Sequence, residues 1–181
     1  MRRGAKLISM NRKYLTFIWM ILFLVVIDQA VKTYIHTQFS LGETLRVIDG
    51  YFNITYVRNT GAAFGMLSDA PETFRKLFFL TIPVVAVVVI FLMLKTTPAE
   101  DRVQVYALSA IAGGALGNYV DRLKHGFVVD FLDFHFQYKY TWPAFNIADS
   151  AIVCGVIALG LLIIRDMKLE REQAKAAAKG N

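Results

Sequence analysis

Two aspartates stand in apolar surroundings, Asp130 in Val129-Asp130-Phe131-Leu132-Asp133-Phe134 and Asp149 in Phe145-Asn146-Ile147-Ala148-Asp149. Asp149 opens a run that reads as a membrane span. A carboxylate placed there is costly unless it has partners, so an acid within or beside a span points to a functional site. Two such acids held close can share one proton and activate a water. Spacing alone leaves Asp133, three residues after Asp130, as an alternative reactive acid.

Other polar residues recur near the same helix ends. Asp28 and Lys32 are four apart, so on one helix they can pair, an ion pair that would stabilise the end of the first span. Asn59 lies in Asn59-Thr60-Gly61-Ala62-Ala63-Phe64-Gly65, whose glycines suit tight turns and a mobile lid hinged at Gly61 and Gly65. Asn118, Asp121 and Arg122 close the third apolar block, and Asn146 stands three residues before Asp149. Asparagine both donates and accepts hydrogen bonds and arginine donates several, so the set suits holding an extended peptide beside two carboxylates. Taken singly, each residue is ordinarily a helix cap or an interfacial group. Their gathering on one side of a membrane is what favours a site.

Other chemistries fit less well. Ser109 and Ser150 lack a Gly-x-Ser-x-Gly setting, and His36, His125 and His135 show no His-x-x-x-His or Cys-x-x-Cys spacing, so a zinc site is not expected. The lone Cys154 sits in the last apolar block without a cationic neighbour and is expected to be a small buried hydrophobe.

The elements that must position these residues are legible as hydropathy blocks. The 181 residues are 56% hydrophobic, above the share usual for a soluble domain. Four segments have the apolar length of a spanning helix: about 14–35, 77–94, 103–120 and 147–164. The first follows a basic stretch like that of a secretory signal but lacks a small-residue cleavage site, so it reads as an uncleaved helix. The net charge of +6 arises largely from the two ends, which argues for membrane orientation rather than nucleic-acid binding. Arg2, Arg3, Lys6, Arg12 and Lys13, with the tail from Arg165 to Lys179, place both termini in the cytoplasm. Asp130 and Asp149 then fall together at the extracytoplasmic surface.

Within the spans, Gly113-x-x-x-Gly117 and Gly114 permit close helix approach, and Pro83 is expected to bend the second helix. The segment 40–70 carries Leu45 to Val57, rich in β-branched and aromatic residues around an Asp49-Gly50 turn, which predicts a strand–turn–strand. The charged tail 166–181 reads as a solvated helical extension. The fold expected is a membrane all-α bundle of four transmembrane helices with a small extracytoplasmic β-sheet and loop subdomain, all in one domain.

Five blocks together resemble the bacterial lipoprotein signal peptidases, or signal peptidase II: Asp28-Gln29-Ala30-Val31-Lys32, Asn59 to Gly65, Gly117-Asn118-Tyr119-Val120-Asp121-Arg122, Val129 to Phe134, and Phe145 to Asp149. The resemblance spans about residues 14–165. It implies an aspartic endopeptidase, without cofactor or metal, that cleaves diacylglyceryl-modified prolipoproteins on the amino side of the lipidated cysteine. It implies Asp130 and Asp149 as the catalytic pair, with Asn59, Asn118, Arg122 and Asn146 binding substrate. Asp28, Lys32, Gly61, Asp121 and Asp133 would support them. The partners implied are the prolipoprotein, membrane lipids and the cyclic peptide inhibitor globomycin, with the protein a monomer of the bacterial inner membrane. A proton-coupled carrier or a lipoprotein chaperone are the rival readings of intramembrane acids.

Overall fold

The computed structural model describes residues 2–61, 66–67 and 69–179, with side chains from Arg12 to Ala177. Gly65 and the rest of 62–65 lie outside it, as does Gly65's expected role as a hinge. Among the described residues there are four helices and four strands. The helices are α1 (Arg2–Gln38), α2 (Glu72–Thr96), α3 (Arg102–His125) and α4 (Ile147–Lys179). The strands are β1 (Thr44–Ile48), β2 (Phe52–Asn59), β3 (Val128–Phe136) and β4 (Tyr140–Thr141).

Three helices are long and apolar enough to cross a membrane: Arg12–Gln38, Glu72–Thr96 and Ile147–Ala177, with mean hydropathy 2.0, 3.1 and 2.5 in their most apolar stretches. Their outward faces carry large apolar side chains, among them Trp19, Val26, Leu77 and Leu161. Of the four spans expected, three are matched by helices of this length and composition; α3, which covers the other, does not reach it. The reason is packing. α3 lies against all three other helices and buries Ala107, Ser109, Ala112, Gly113, Gly114, Gly117, Asn118 and Asp121. Small and polar residues take the place of lipid-facing ones, and the hydropathy falls with them.

The close approach is tightest at α3 against α4. A Cβ on Gly114 would collide with the carbonyl oxygen of Ala148, and one on Gly117 would sit 2.7 Å from Asp28 Oδ2 and 3.2 Å from Ala148 Cβ. The glycines thus bring the α4 N-terminus and the Asp28 carboxylate against α3. Pro83 is accommodated within α2. Cys154, expected to be buried, is exposed on α4; its neighbour Gly155 is the residue that packs on α3, against Ile111 and Ala107.

At the opposite end of the bundle, Lys13 is buried rather than solvated. Its Nζ donates to the carbonyls of Leu94 and Thr97, each at 2.8 Å. Leu94 lies in the last turn of α2 and Thr97 is its C-cap, so the cation sits at the negative end of the helix dipole.

The sheet is antiparallel in the order β1-β2-β3-β4. The expected hairpin is present as β1 and β2, turning at Gly50 with φ of 76°. The sheet also recruits 128–136 and 140–141, which the sequence left as a connection. α2 and α3 are inserted between β2 and β3, so β3 returns to pair with β2 from Phe52↔Phe134 to Asn59↔Val128. Ile35, Tyr56, Val129 and Phe131 form the core that seats the sheet on the end of α1.

Gly117→Ala should cost about 1–3 kcal/mol, as overpacking of a tight interior does. Gly160, with nothing within 4 Å of its Cβ position, should accept alanine unharmed. Thermal unfolding of both variants in detergent checks this; equal midpoints would remove the close-packing account.

Candidate active site

Asp149 lies in the first turn of α4, and Asn146 caps that helix. Asn146 Oδ1 accepts from the Asp149 amide at 2.9 Å, and Asp149 Oδ2 accepts from the Asn146 amide at 3.3 Å. This reciprocal cap satisfies two orphan donors and fixes the Asp149 carboxylate against the helix start. Asp130 comes from the middle of β3 and is 1% exposed. What carries Asp130 to α4 is a backbone clasp: Phe131 and Leu132 both donate to the Phe145 carbonyl, at 3.0 and 2.8 Å, and Phe145 donates back to Leu132 at 3.1 Å.

Three amides then span the acids. Asn146 Nδ2 donates to Asp130 Oδ1 at 2.7 Å, and Asn59 Nδ2 to Asp130 Oδ2 at 2.9 Å. Asn118 Nδ2 donates to Asp149 Oδ1 at 2.7 Å, and Asn118 Oδ1 accepts from Asn146 at 3.2 Å. The orientation of each amide is dictated by a donor that only an oxygen can receive. That donor is the Asp149 N–H for Asn146, the Gly61 N–H at 2.9 Å for Asn59, and the Lys32 ammonium at 2.8 Å for Asn118. Both acids therefore face amide hydrogens.

Behind this layer sits a buried ionic cluster. Lys32 Nζ lies 2.9 Å from Asp28 Oδ2 and 3.1 Å from Asp121 Oδ2, all three side chains being at most 2% exposed. The expected Asp28–Lys32 pair on α1 is thus one half of a cluster that reaches across to α3. Asp28 Oδ1 also accepts from the Ala148 amide at 2.9 Å, the residue before Asp149. Asp121 Oδ2 accepts from the Val129 amide at 3.0 Å, the residue before Asp130. Each acid of the cluster holds the backbone beside one acid of the site.

Arg122 does not touch either site acid through a hydrogen bond. Its Nη2 donates to the Gly61 carbonyl at 2.9 Å and its guanidinium stacks on Phe79 at 4.5 Å. It lies within electrostatic reach of Asp149 and Asp130. Gly61 thereby joins Arg122 to Asn59. Asp133 stands apart from the group. Three residues along a strand reverses the face, and Asp133 accepts instead from Asn53 at 2.9 Å. Strand parity thus turns Asp133 away from the Asp130–Asp149 group.

Sequence reasoning passed over Gln29. Its Nε2 donates to Asp121 Oδ1 at 2.6 Å and to the Gly117 carbonyl at 3.1 Å. A polar residue next to Asp28 within an apolar run was the available signal.

Burial pushes the Asp130 carboxyl up to about 7, and the neighbouring Asp149 charge adds to the rise. The hydrogen bonds from Asn59 and Asn146 and the charge of Lys32 oppose it. Asp149 is only half-buried. The site therefore pairs one enclosed carboxyl, which keeps its proton well above the usual carboxylate range, with one more open to a reactant. Among the described residues no three His, Cys, Asp or Glu side chains converge as a metal ion would require.

Comparison with known proteins identifies the family of the chain. Residues 20–165 match the family described as signal peptidase (SPase) II. A lipoprotein signal peptidase of Syntrophus aciditrophicus is 47% identical over 79% of this chain and 88% of its own. That of Geobacter sulfurreducens is 42% identical over 91% of this chain and 99% of its own. A solved structure described as a bacterial membrane enzyme, determined by the in meso method at 2.3 Å resolution, superposes with a TM-score of 0.74. It is 36% identical, covering 84% of this chain and 89% of the other. The chain belongs to the signal peptidase II family and is a membrane protein.

The raised Asp130 carboxyl sets a sign for stability. The folded state holds a proton that the unfolded chain releases near pH 4, so stability falls as pH climbs from about 4 to about 7. The slope is up to about 1.4 kcal/mol per pH unit. Asp130→Asn lacks this cost. Its thermal midpoint should gain on the unmodified protein as pH rises through that window; a constant gap from pH 4 to 8 would refute the assignment.

Proposed function

We infer that this protein is a membrane-embedded aspartic endopeptidase that removes signal peptides from diacylglyceryl-modified prolipoproteins, cleaving on the amino side of the lipidated cysteine. Family membership carries the reaction class. For the residues, the single observation that supports the reading is the Asp130–Asn146–Asn118–Asp149 chain of hydrogen bonds, with one of its two acids fully enclosed.

In this reading Asp130 and Asp149 are the catalytic pair and share one proton. Asp149, the more open acid, takes a proton from a water as that water attacks the scissile carbonyl. Asp130 donates its proton toward the carbonyl oxygen as charge develops there. When the tetrahedral intermediate collapses, a proton passes to the departing amine of the cysteine, and the signal peptide leaves with a new carboxyl terminus. Asn59, Asn118 and Asn146 contribute by fixing the carboxylates against which the peptide must lie, and Arg122 with Gly61 forms the adjoining wall. Asp28, Lys32 and Asp121 support them, and Asp133, facing Asn53, supports the sheet.

The same reading makes α3 the fourth span. Its 24 residues reach about 36 Å at 1.5 Å each, enough for a hydrocarbon core of about 30 Å. The termini are cytoplasmic, in the bacterial inner membrane, and the site lies at the extracytoplasmic face. The cations of the first and last helix turns, at the end away from the site, favour that orientation. The lipid chains of the substrate remain in the bilayer, fixing the cysteine at the depth of the acids, a proximity effect. The protein acts as a monomer, and globomycin competes for the peptide's place. A carrier would hold its acids in mid-span; here Asp130 is on a strand and Asp149 on a first helical turn.

Asp130→Asn and Asp149→Asn, purified and folded, should each lose at least about a hundredfold in cleavage rate, the scale of a lost acid or base. A gel-shift assay on a diacylated prolipoprotein reads this, and substantial cleavage by either variant would sink the pair. Activity of the unmodified protein should decline above about pH 7, as the shared proton is lost from the pair. A rate still rising at pH 9 would contradict it.

A further inference from the structure

The sheet is amphipathic in the reverse of the usual sense. On β3, Phe134 and Phe136 alternate with Asp133 and His135, so the two pairs lie on opposite faces. Pairing carries each face across the neighbouring strands. Phe52 stands opposite Phe134 and Tyr140 opposite Phe136, and Trp142, whose amide donates to the Phe134 carbonyl at 2.9 Å, continues that line. Phe52 and Phe134 stack at 4.6 Å. On the other face Asn53 donates to Asp133 at 2.9 Å, and Tyr138 lies against His135 with ring centroids 4.6 Å apart. Asn53 and His135 are buried, whereas the aromatic line is open, from 45% exposed at Phe134 to 75% at Tyr140. A sheet surrounded by water would place these groups the other way round.

We propose that the aromatic face rests on the lipid leaflet at the site's end of the bundle and anchors the sheet there. Chain connectivity puts the face within reach of the membrane surface. The spanning stretch of α1 ends at Gln38, six residues before β1, and that of α4 starts at Ile147, five after Trp142. Five extended residues reach at most about 18 Å, so Trp142 stays near the level of the span end. The side chains suit that level too. The rings of Trp and Tyr, apolar in body with one polar tip, concentrate where hydrocarbon meets headgroups. Asp130 stands on the same face of β3, four residues before Phe134. The anchor therefore sets this acid on the leaflet side of the sheet, where a lipid-linked peptide is held. The inference rests on the membrane character of the chain and not on the identity of the catalytic acids.

The chain has two tryptophans, and Trp19→Phe, at an exposed position of α1, leaves Trp142 as the sole one. The full-length variant is reconstituted in phosphatidylcholine bilayers. Its emission is quenched from the water by iodide, and from the membrane by phosphatidylcholines brominated near the carbonyl or near the chain end. Trp142 should lose more emission to the shallow bromines than to the deep ones, and little to iodide. In the same background Phe136→Asp and Tyr140→Asp, both clear of the site's hydrogen bonds, should each raise the loss to iodide and lower the loss to bromolipid, at an unchanged thermal midpoint in detergent. The single-tryptophan measurement decides the matter even where a charged variant fails to fold, and it does not involve peptidase activity. Iodide quenching of Trp142 as strong as that of free tryptophan would overturn the proposal by placing the face in water. Protection from iodide and from both bromolipids would overturn it as well, by showing that protein, such as a second copy of the chain, covers the face.

Discussion

One ammonium group holds the working end of this molecule together. Lys32 Nζ from α1 meets Asp28 on its own helix, and Asp121 and Asn118 on α3, with almost no access to solvent. Burying three charges is expensive, and such a cluster seldom adds net stability over apolar packing. Its value lies in what the two carboxylates do with their remaining oxygens. Asp28 takes the amide of Ala148, and Asp121 takes that of Val129. The cluster therefore fixes the backbone immediately before each site acid, on α4 and on β3. Without the cation, two buried carboxylates would repel across the interface and release both segments.

The second constraint is the small sheet. A helix bundle alone could present Asp149, but its partner has to arrive from a chain segment that leaves α3 and returns to α4. Gly126, in the left-handed region with φ of 76°, ends α3 and turns the chain into β3. Pairing with β2 then fixes the register, and register fixes the face. A slip of one residue would bury Asp130 among Val129's neighbours and leave the pair incomplete. The clasp between Phe145 and Leu132 ties that register to the start of α4. Asn59 adds a third element, because it ends β2 opposite Val128 and so reaches Asp130.

Much of this was legible as sequence, and the failures have physical causes. The i,i+4 spacing of Asp28 and Lys32 and the cap-like spacing of Asn146 and Asp149 are local, so periodicity exposes them. The hairpin at Asp49-Gly50 is local too. β3 was hidden because both of its faces are partly covered, which erases the alternation that marks a half-buried strand. With β3 unread, the choice between Asp130 and Asp133 had no basis in the residues and came from family resemblance; strand parity places the two on opposite faces. Lys13 reads as an orientation charge but spends its donors on the end of α2. Asp121's bond to Lys32 joins residues far apart in the chain, which no spacing rule anticipates.

The low hydropathy of α3 follows from the same demands. A peptidase acting on a substrate anchored in lipid needs polar groups at the membrane surface, yet the bilayer penalises each one exposed to hydrocarbon. Here the polar side chains of α3, Asn118 and Asp121, turn inward to α1 and α4, and glycines at 113, 114 and 117 bring those helices close enough to receive them. Lipid contact is left to α1, α2 and α4. The helix least like a span is thus the one around which the others pack. Replacing its small residues with large apolar ones would raise its hydropathy and separate the two acids' supports.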